Sequence, residues 1–134
     1  MIDDEEDFAK MLQRSLKQKK HQADIATTGL QAIQLAARYP YDLALLDIRM
    51  PEITGLELLD YFQRNQKKIF VIMMTAFSSF SIGIESLKRG AYDYLEKPFK
   101  MHELHQKVME ALQRKHRYIR EQQAENDATL RGEE

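Results

Sequence analysis

Apolar residues recur along this chain at two alternating periods. In DFAKMLQRSLKQKK (7–20), Phe8, Met11, Leu12 and Leu16 share one face at a 3.6-residue period, which predicts a helix. QADIAT (22–27) alternates as a short strand does. TTGLQAIQLAARYP (27–40) returns to the helical period, with Leu30, Ile33 and Ala37 on one face and a stop at Pro40. DLALLD (42–47) is a short apolar run that ends in an acid, and turn signals follow at Pro51 and Gly55. LELLDYFQRN (56–65) is helical again, with Leu56, Leu59 and Phe62 facing inward. IFVIMMT (69–75) has the unbroken apolar character of a strand buried on both faces. IGIESLKRG (82–90) predicts a helix closed by Gly90, and AYDYLE (91–96) a last strand. From Met101 to about Gln123 a long helix carries Leu104, Val108, Leu112 and Ile119.

Strands that alternate with helices imply parallel strands joined by crossover helices. Such sheets bind ligands beyond the carboxyl ends of their strands. The reading is one domain over residues 1–120, followed by a polar tail or linker over 121–134 that is expected to fray. HRYIREQQAEN, which outruns the domain, also reads as a signalling helix or coiled-coil linker toward an effector.

Composition narrows the classes. With 43% apolar and 31% charged residues a real core is expected. A net charge of -1 argues against a dedicated nucleic-acid module, so no direct nucleic-acid partner is expected. The absence of cysteine excludes disulfides and thiol chemistry. The acidic, polar N-terminus is unlike a signal peptide, and the longest apolar run, 69–74, is far too short to span a bilayer. The expectation is a cytoplasmic protein without a membrane partner.

The strand ends carry the chemistry. Asp3 and Asp4 follow the first apolar stub, Asp47 ends LALL, Thr75 ends IFVIMM, and Lys97 with Pro98 follows AYDYLE. A doubly wound sheet would bring these ends to one edge. Three carboxylates crowded together repel one another unless a hard cation joins them, and Mg2+ takes oxygen ligands and is often shared with a phosphate. One carboxylate is then a candidate nucleophile forming an aspartyl phosphate, with the hydroxyl and the ammonium receiving phosphoryl oxygens. No glycine-rich phosphate loop occurs, which argues against a nucleoside triphosphate substrate. Each residue alone has a plainer reading. A strand-end Asp is about as often a cap or turn residue, Thr75 alone reads as structural, and Lys97 as a surface lysine. Their joint arrangement shifts the balance toward a site.

The stretches IDDEEDF (2–8), YDLALLDIRMPEITGLELL (41–59), VIMMTAF (71–77) and GAYDYLEKPF (90–99) resemble the receiver domain of two-component response regulators over residues 2–120. Within that family, TAF with GAYDYLEKPF is most similar to receivers that regulate transcription through an ATPase-type effector. The resemblance implies a flavodoxin-like, doubly wound, five-stranded parallel sheet of order 2-1-3-4-5. It implies that Asp47 accepts a phosphoryl group from a histidine kinase or phosphotransfer protein. Asp3, Asp4, Asp47 and the backbone carbonyl of Arg49 would hold Mg2+, and Thr75 and Lys97 would contact the phosphoryl group. Tyr94 would be the switch aromatic that turns inward as Thr75 moves, and the Lys97–Pro98 bond would be cis. The surface of residues 79–89, 91–96 and 101–120, the fourth helix, fifth strand and fifth helix, would then change for a homodimer partner or an effector. Arg49 and Phe77, each two residues beyond a site residue, are expected to hinder the hydrolytic water and lengthen the phosphoryl lifetime.

Three other readings compete. A phosphatase of the haloacid-dehalogenase-like class needs an acid two residues after its nucleophile, where Arg49 stands and donates no proton at neutral pH. A degenerate receiver would lack an acid, the Thr or the Lys. A histidine phosphotransfer domain would be all helical. His102 and His105, three apart on a helix, lack an evident third partner for a metal site. Lys100 stands where a Ser or Asp cap would be preferred. Of the opening acids, Glu5 is expected to orient the site, and Glu6 and Asp7 to favour the first helix's N-terminus. Only Met1 and Ile2 precede the acid pair, so the first strand reads as truncated, by a start inside the domain or by a gap that another segment or chain fills.

Overall fold

A computed structural model describes residues 1–66, 68–76 and 80–132. Its helices are α1 (Glu6–Gln18), α2 (Gly29–Arg38), α3 (Gly55–Asn65), α4 (Phe80–Lys88) and α5 (Met101–Leu130). Its strands are β1 (Leu43–Asp47), β2 (Phe70–Thr75) and β3 (Asp93–Glu96). They form one parallel sheet of order β1-β2-β3, with Asp47 opposite Met74 and Thr75 opposite Glu96.

The expected five strands are therefore three among the described residues. The two missing strands shrink to isolated parallel bridges: Ile2 with Leu46 on one side and with Ala26 on the other. Backbone hydrogen bonds secure both flanks, Ile2 N to Leu45 O at 2.7 Å, Asp47 N to Ile2 O at 2.9 Å, Asp3 N to Ala26 O at 3.0 Å and Ala26 N to Met1 O at 2.8 Å. The Met1 amino group donates to Asp24 O at 2.8 Å, and the chain turns into α1 at Glu6. A cavity of about 470 Å³ beside Met1 is lined by Ala23, Asp24, Leu43 and Leu45 among others.

The strands alternate across two cores, as their period of two requires. Ala44, Leu46, Val71 and Met73 face α2 and α3, packing against Ala32, Ala36, Leu58, Leu59 and Phe62. Leu45, Ile72, Met74 and Leu95 face α1 and α5, packing against Leu12, Leu16, Leu104, Val108 and Ala111. Fully burying one such Leu or Phe side chain is worth about 1.5–3 kcal/mol.

Several helical faces differ from the expected ones. On α2 the buried residues are Gly29, Ala32 and Ala36, while Leu30 is 58% exposed. Small residues let this helix lie close: a Cβ on Gly29 would stand 2.9 Å from the Ile53 Cβ. Met11 is 44% exposed on α1, its place on the buried face taken by Ala9. Helix α5 runs to Leu130 instead of fraying after Gln123, with residues 120–127 all exposed. The helix starts follow their caps. Thr28 and Thr54 accept from the backbone N–H of Gln31 and Glu57, whereas Glu5 and Lys100 supply no side-chain cap.

Lys115 is the one buried lysine among the described residues, 4% exposed. From α5 its ammonium reaches Asp42 Oδ1 at 2.9 Å and the Tyr41 carbonyl at 3.3 Å, tying the helix to the start of β1. Lys115→Ala removes both bonds and the buried stem, and is expected to destabilise the fold by about 1–3 kcal/mol. Lys115→Met keeps the stem and is expected to recover roughly half of that loss. Urea unfolding of the two variants checks the order; equal stability for all three chains would refute the tie.

Candidate functional site

Three sheet-edge elements deliver the site. β1 ends at Asp47, which is 7% exposed, and β2 ends at Thr75, which is fully buried. β3 leads through Glu96 to Lys97, whose backbone N–H donates to Thr75 O at 2.6 Å. Asp3, fully buried, and Asp4, exposed, follow the Ile2 bridges. One carboxylate oxygen from each of Asp3, Asp4 and Asp47 lies within 4.8 Å of the others.

The positive partner is Lys97. Its ammonium stands 2.9 Å from Asp3 Oδ2 and 3.6 Å from Asp47 Oδ2. Backbone N–H groups aim the acids: Glu5 donates to Asp3 Oδ1 at 2.9 Å and Arg49 to Asp47 Oδ1 at 3.3 Å. The Glu5 contribution is thus its backbone N–H; Glu6 and Asp7 occupy the first turn of α1. Burial, and after it the charge of Asp3, pushes the Asp47 carboxyl up to about 6, against the pull of Lys97 and the Arg49 N–H. Oxygen-only donors crowded enough to raise one member's pKa fit a small, hard divalent cation well.

The remaining sequence candidates lie close by. The Thr75 hydroxyl donates to Leu95 O at 3.5 Å, a weak bond. Tyr94, partly buried on β3, lies over Gly83 of α4, where an added Cβ would meet its ring at 2.9 Å; Phe80 meets the same ring edge-on at 6.5 Å. The Lys97–Pro98 peptide is cis. Arg49 is exposed. Phe77 lies outside the described residues. The histidines take no part. His105 instead meets Ser15 Oγ at 2.8 Å between α5 and α1, and desolvation lowers its pKa.

Two contributors were invisible along the sequence. Phe8 places its ring 4.4 Å from the Lys97 ammonium. Gly55 lets α3 approach the backbone of Asp47 and Ile48, where a Cβ would stand 2.5 Å from Ile48 Cα. Its position after LLDIRMPEIT hinted at a turn and not at this contact.

No helix of the described residues is long and apolar enough to cross a membrane. The model of the response regulator receiver domain family matches residues 1–109. Response regulator protein PilR of Pseudomonas aeruginosa is 38% identical over 112 residues, covering 84% of this chain and 25% of its own length. Regulatory protein AtoC of Escherichia coli is 35% identical over 113 residues, covering 84% and 24%. This chain thus spans about a quarter of the length of these curated relatives. Among solved structures, the receiver domain of Francisella response regulator 1452 superposes with a TM-score of 0.79 at 30% identity, covering 84% of this chain and 93% of that one. NtrX from Brucella abortus does so with a TM-score of 0.85 at 27% identity, covering 92% and 28%. The fold, the strand-end acids and these matches together make the chain a member of the response regulator receiver domain family, a signalling domain of two-component systems.

Proposed function

We propose that this receiver accepts a phosphoryl group on Asp47 from a phosphohistidine of a kinase or phosphotransfer protein. The observation that carries the reading is the Lys97 ammonium set between Asp3 and Asp47 in a cluster of three converging carboxylates. An Asp47 carboxylate oxygen attacks phosphorus. An O–P bond forms as the N–P bond breaks, and the departing imidazole nitrogen keeps the electron pair and takes a proton from solvent. Asp3, Asp4, Asp47 and the Arg49 backbone carbonyl would hold Mg2+, which supplies neutralising charge to phosphoryl oxygens. Lys97 receives one of those oxygens, and the buried Thr75 hydroxyl another.

The switch follows from charge and space. An aspartyl phosphate adds about -1.5 to -2 charges, by analogy with other phosphorylated side chains. The Thr75 hydroxyl gives up only a 3.5 Å bond to Leu95 O to reach it. Its movement opens room for Tyr94, which leaves the surface over Gly83 and alters the face of α4, β3 and α5. That face is where a homodimer partner or an effector would read the change. The five-stranded order 2-1-3-4-5 is supported by Ile2, which bridges Ala26 and Leu46. A transcriptional role through an ATPase-type module is in keeping with NtrX from Brucella abortus, solved in complex with ATP.

Intact mass after incubation with Mg2+ and acetyl phosphate tests the reading. One phosphoryl gain, lost in Asp47→Ala, supports the receiver. Many phosphates released per chain would favour a phosphatase. No gain would favour a degenerate module. The exposed Arg49 side chain flanks the path of the hydrolytic water, so Arg49→Ala is expected to shorten the phosphoryl lifetime roughly threefold, a barrier change under about 1 kcal/mol. Unchanged hydrolysis in that variant would end this assignment. Phe77→Ala is expected to act in the same direction.

A further inference from the structure

Phe8 is not among the polar groups that mark the site, yet it touches one of them. It lies in the first turn of α1, half-buried, with the Lys97 ammonium 4.4 Å from its ring centroid. Phe99, two residues beyond Lys97, meets the Phe8 ring edge-on at 6.0 Å and 67°. Lys97, Pro98, Phe99, Phe8 and Met11 line one cleft beside the acid cluster. We propose that Phe8 is a positioning residue, its ring face holding the Lys97 ammonium in place for phosphoryl transfer to Asp47. The inference rests on the receiver reading above.

A lysine is a compact charge on a flexible four-carbon stem, and it needs restraint to act as a fixed contact. In this structure the restraint comes partly from Asp3 and Asp47. Both carboxylates are engaged elsewhere in the proposed reaction, Asp3 as a cation ligand and Asp47 as the nucleophile. A further carboxylate to hold Lys97 would add negative charge beside an incoming phosphoryl group and beside an Asp47 already crowded by Asp3. An aromatic face attracts a cation without carrying formal charge. It also keeps water off one side of the ammonium of a lysine whose side chain is only 22% exposed, which strengthens the contact the lysine makes with a phosphoryl oxygen. Phe99 packs edge-on with the same ring, so the cation–π pair is built between α1 and the Lys97–Phe99 segment.

Simple packing is the competing account, and it predicts that any apolar residue of similar volume serves equally. Phe8→Leu keeps apolar bulk and removes the ring, while Phe8→Tyr keeps the ring. The test measures the initial rate of phosphoryl uptake from acetyl phosphate, in which acetate leaves with the electron pair. It is run with and without Lys97→Ala. Phe8→Leu is expected to slow uptake roughly tenfold, and Phe8→Tyr to restore it to within about twofold. In the Lys97→Ala background Phe8→Leu is expected to have no further effect, since the two residues act as one unit. Affinity for Mg2+ alone is expected to stay within about twofold, because no metal-facing carboxylate changes. The Lys97 ε-methylene protons are expected upfield of ordinary lysine in the unaltered protein and at the ordinary position in Phe8→Leu. An undiminished rate in Phe8→Leu overturns the positioning role and leaves the receiver reading standing, as does an equal slowing in both backgrounds. No phosphoryl gain in the unaltered chain overturns the receiver reading and the positioning role with it.

Discussion

Asp47→Asn is expected to abolish phosphoryl uptake and, without Mg2+, to make the folded protein more stable at neutral pH. The two effects share one cause. Burial and the charge of Asp3 raise the Asp47 carboxyl from 3.8 to about 6. An acid whose folded-state pKa is raised weakens the fold where it is ionised. Below about pH 4 the carboxyl is protonated in both folded and unfolded chains, and it carries no penalty. Between about pH 4 and 6 the folded chain binds more protons than the unfolded one, so stability falls as pH rises. Above about pH 6 the penalty is complete. A rise of about two units corresponds to at most ~3 kcal/mol. Asn still buries a polar amide, so the expected gain at pH 7 is about 1–2 kcal/mol, or roughly 3–8 °C in Tm. At pH 4 the gain is expected to vanish. Thermal unfolding of both chains in EDTA at pH 4 and 7 checks this, with intact mass for the phosphoryl group. A variant that is less stable at pH 7, or equally stabilised at both pH values, would show that Asp47 is not held against its own charge. The stability lost at the acid cluster is then a cost of keeping the proposed nucleophile ionised among like charges, which Mg2+ would relieve by binding only the folded state.

Much of the site could be read from the sequence because its chemistry sits where elements end. Asp47 and Thr75 each end an apolar run and Lys97 follows the strand segment AYDYLE, and a turn signal or proline comes after two of the three, so the edge of a parallel sheet collects them. The contacts that shape the site are another matter. Phe8 and Lys97 are 89 positions apart, and nothing periodic links an aromatic on one helix to a lysine beyond a distant strand. On α2 the apolar signal came from Leu30, which is exposed, while the close packing is done by Gly29, Ala32 and Ala36, whose hydrophobicity is too small to mark a face. The C-terminal half of α5 lacks an apolar stripe, and its polar sequence reads as a tail. Its richness in Ala, Gln, Glu and Arg, all strong helix formers, was the better guide to a helix reaching Leu130. The first strand reads as truncated in the sequence, and the structure shows isolated bridges in its place. A single residue, Ile2, makes all of its bridges, and a ladder needs more than one.

Gly55→Ala is expected to be the most damaging single methyl in the protein. Gly55 opens α3, and its N–H donates to the Ile48 carbonyl at 2.9 Å while Thr54 caps the helix by accepting from Glu57 N. These bonds draw the helix start onto the backbone that has just left β1. A Cβ there would stand 2.5 Å from Ile48 Cα and 3.0 Å from the Asp47 carbonyl carbon, and closer still to the Asp47 carbonyl oxygen. Every one of those atoms is main chain, which no rotamer change moves aside. The first turn of α3 must then shift away from β1, straining the Thr54 cap and the Gly55–Ile48 bond together, and loosening Leu58, Leu59 and Phe62 from the core. The expected loss is about 3 kcal/mol or more, beyond the usual range for added core volume because backbone must yield. Gly83→Ala is the control of the same size. Its Cβ would also come within 2.9 Å of a neighbour, but that neighbour is the partly exposed Tyr94 ring, a side chain and not main chain. Replacing a helical glycine by alanine returns about 1 kcal/mol of helix propensity, so Gly83→Ala is expected to lie within about 1 kcal/mol of the parent. Urea unfolding separates the pair. If Gly83→Ala proves as damaging as Gly55→Ala, the Tyr94 ring is locked in place, and the movement proposed for it does not occur. If Gly55→Ala is tolerated while phosphoryl uptake persists, the contact between α3 and Asp47 does not set the position of the proposed nucleophile.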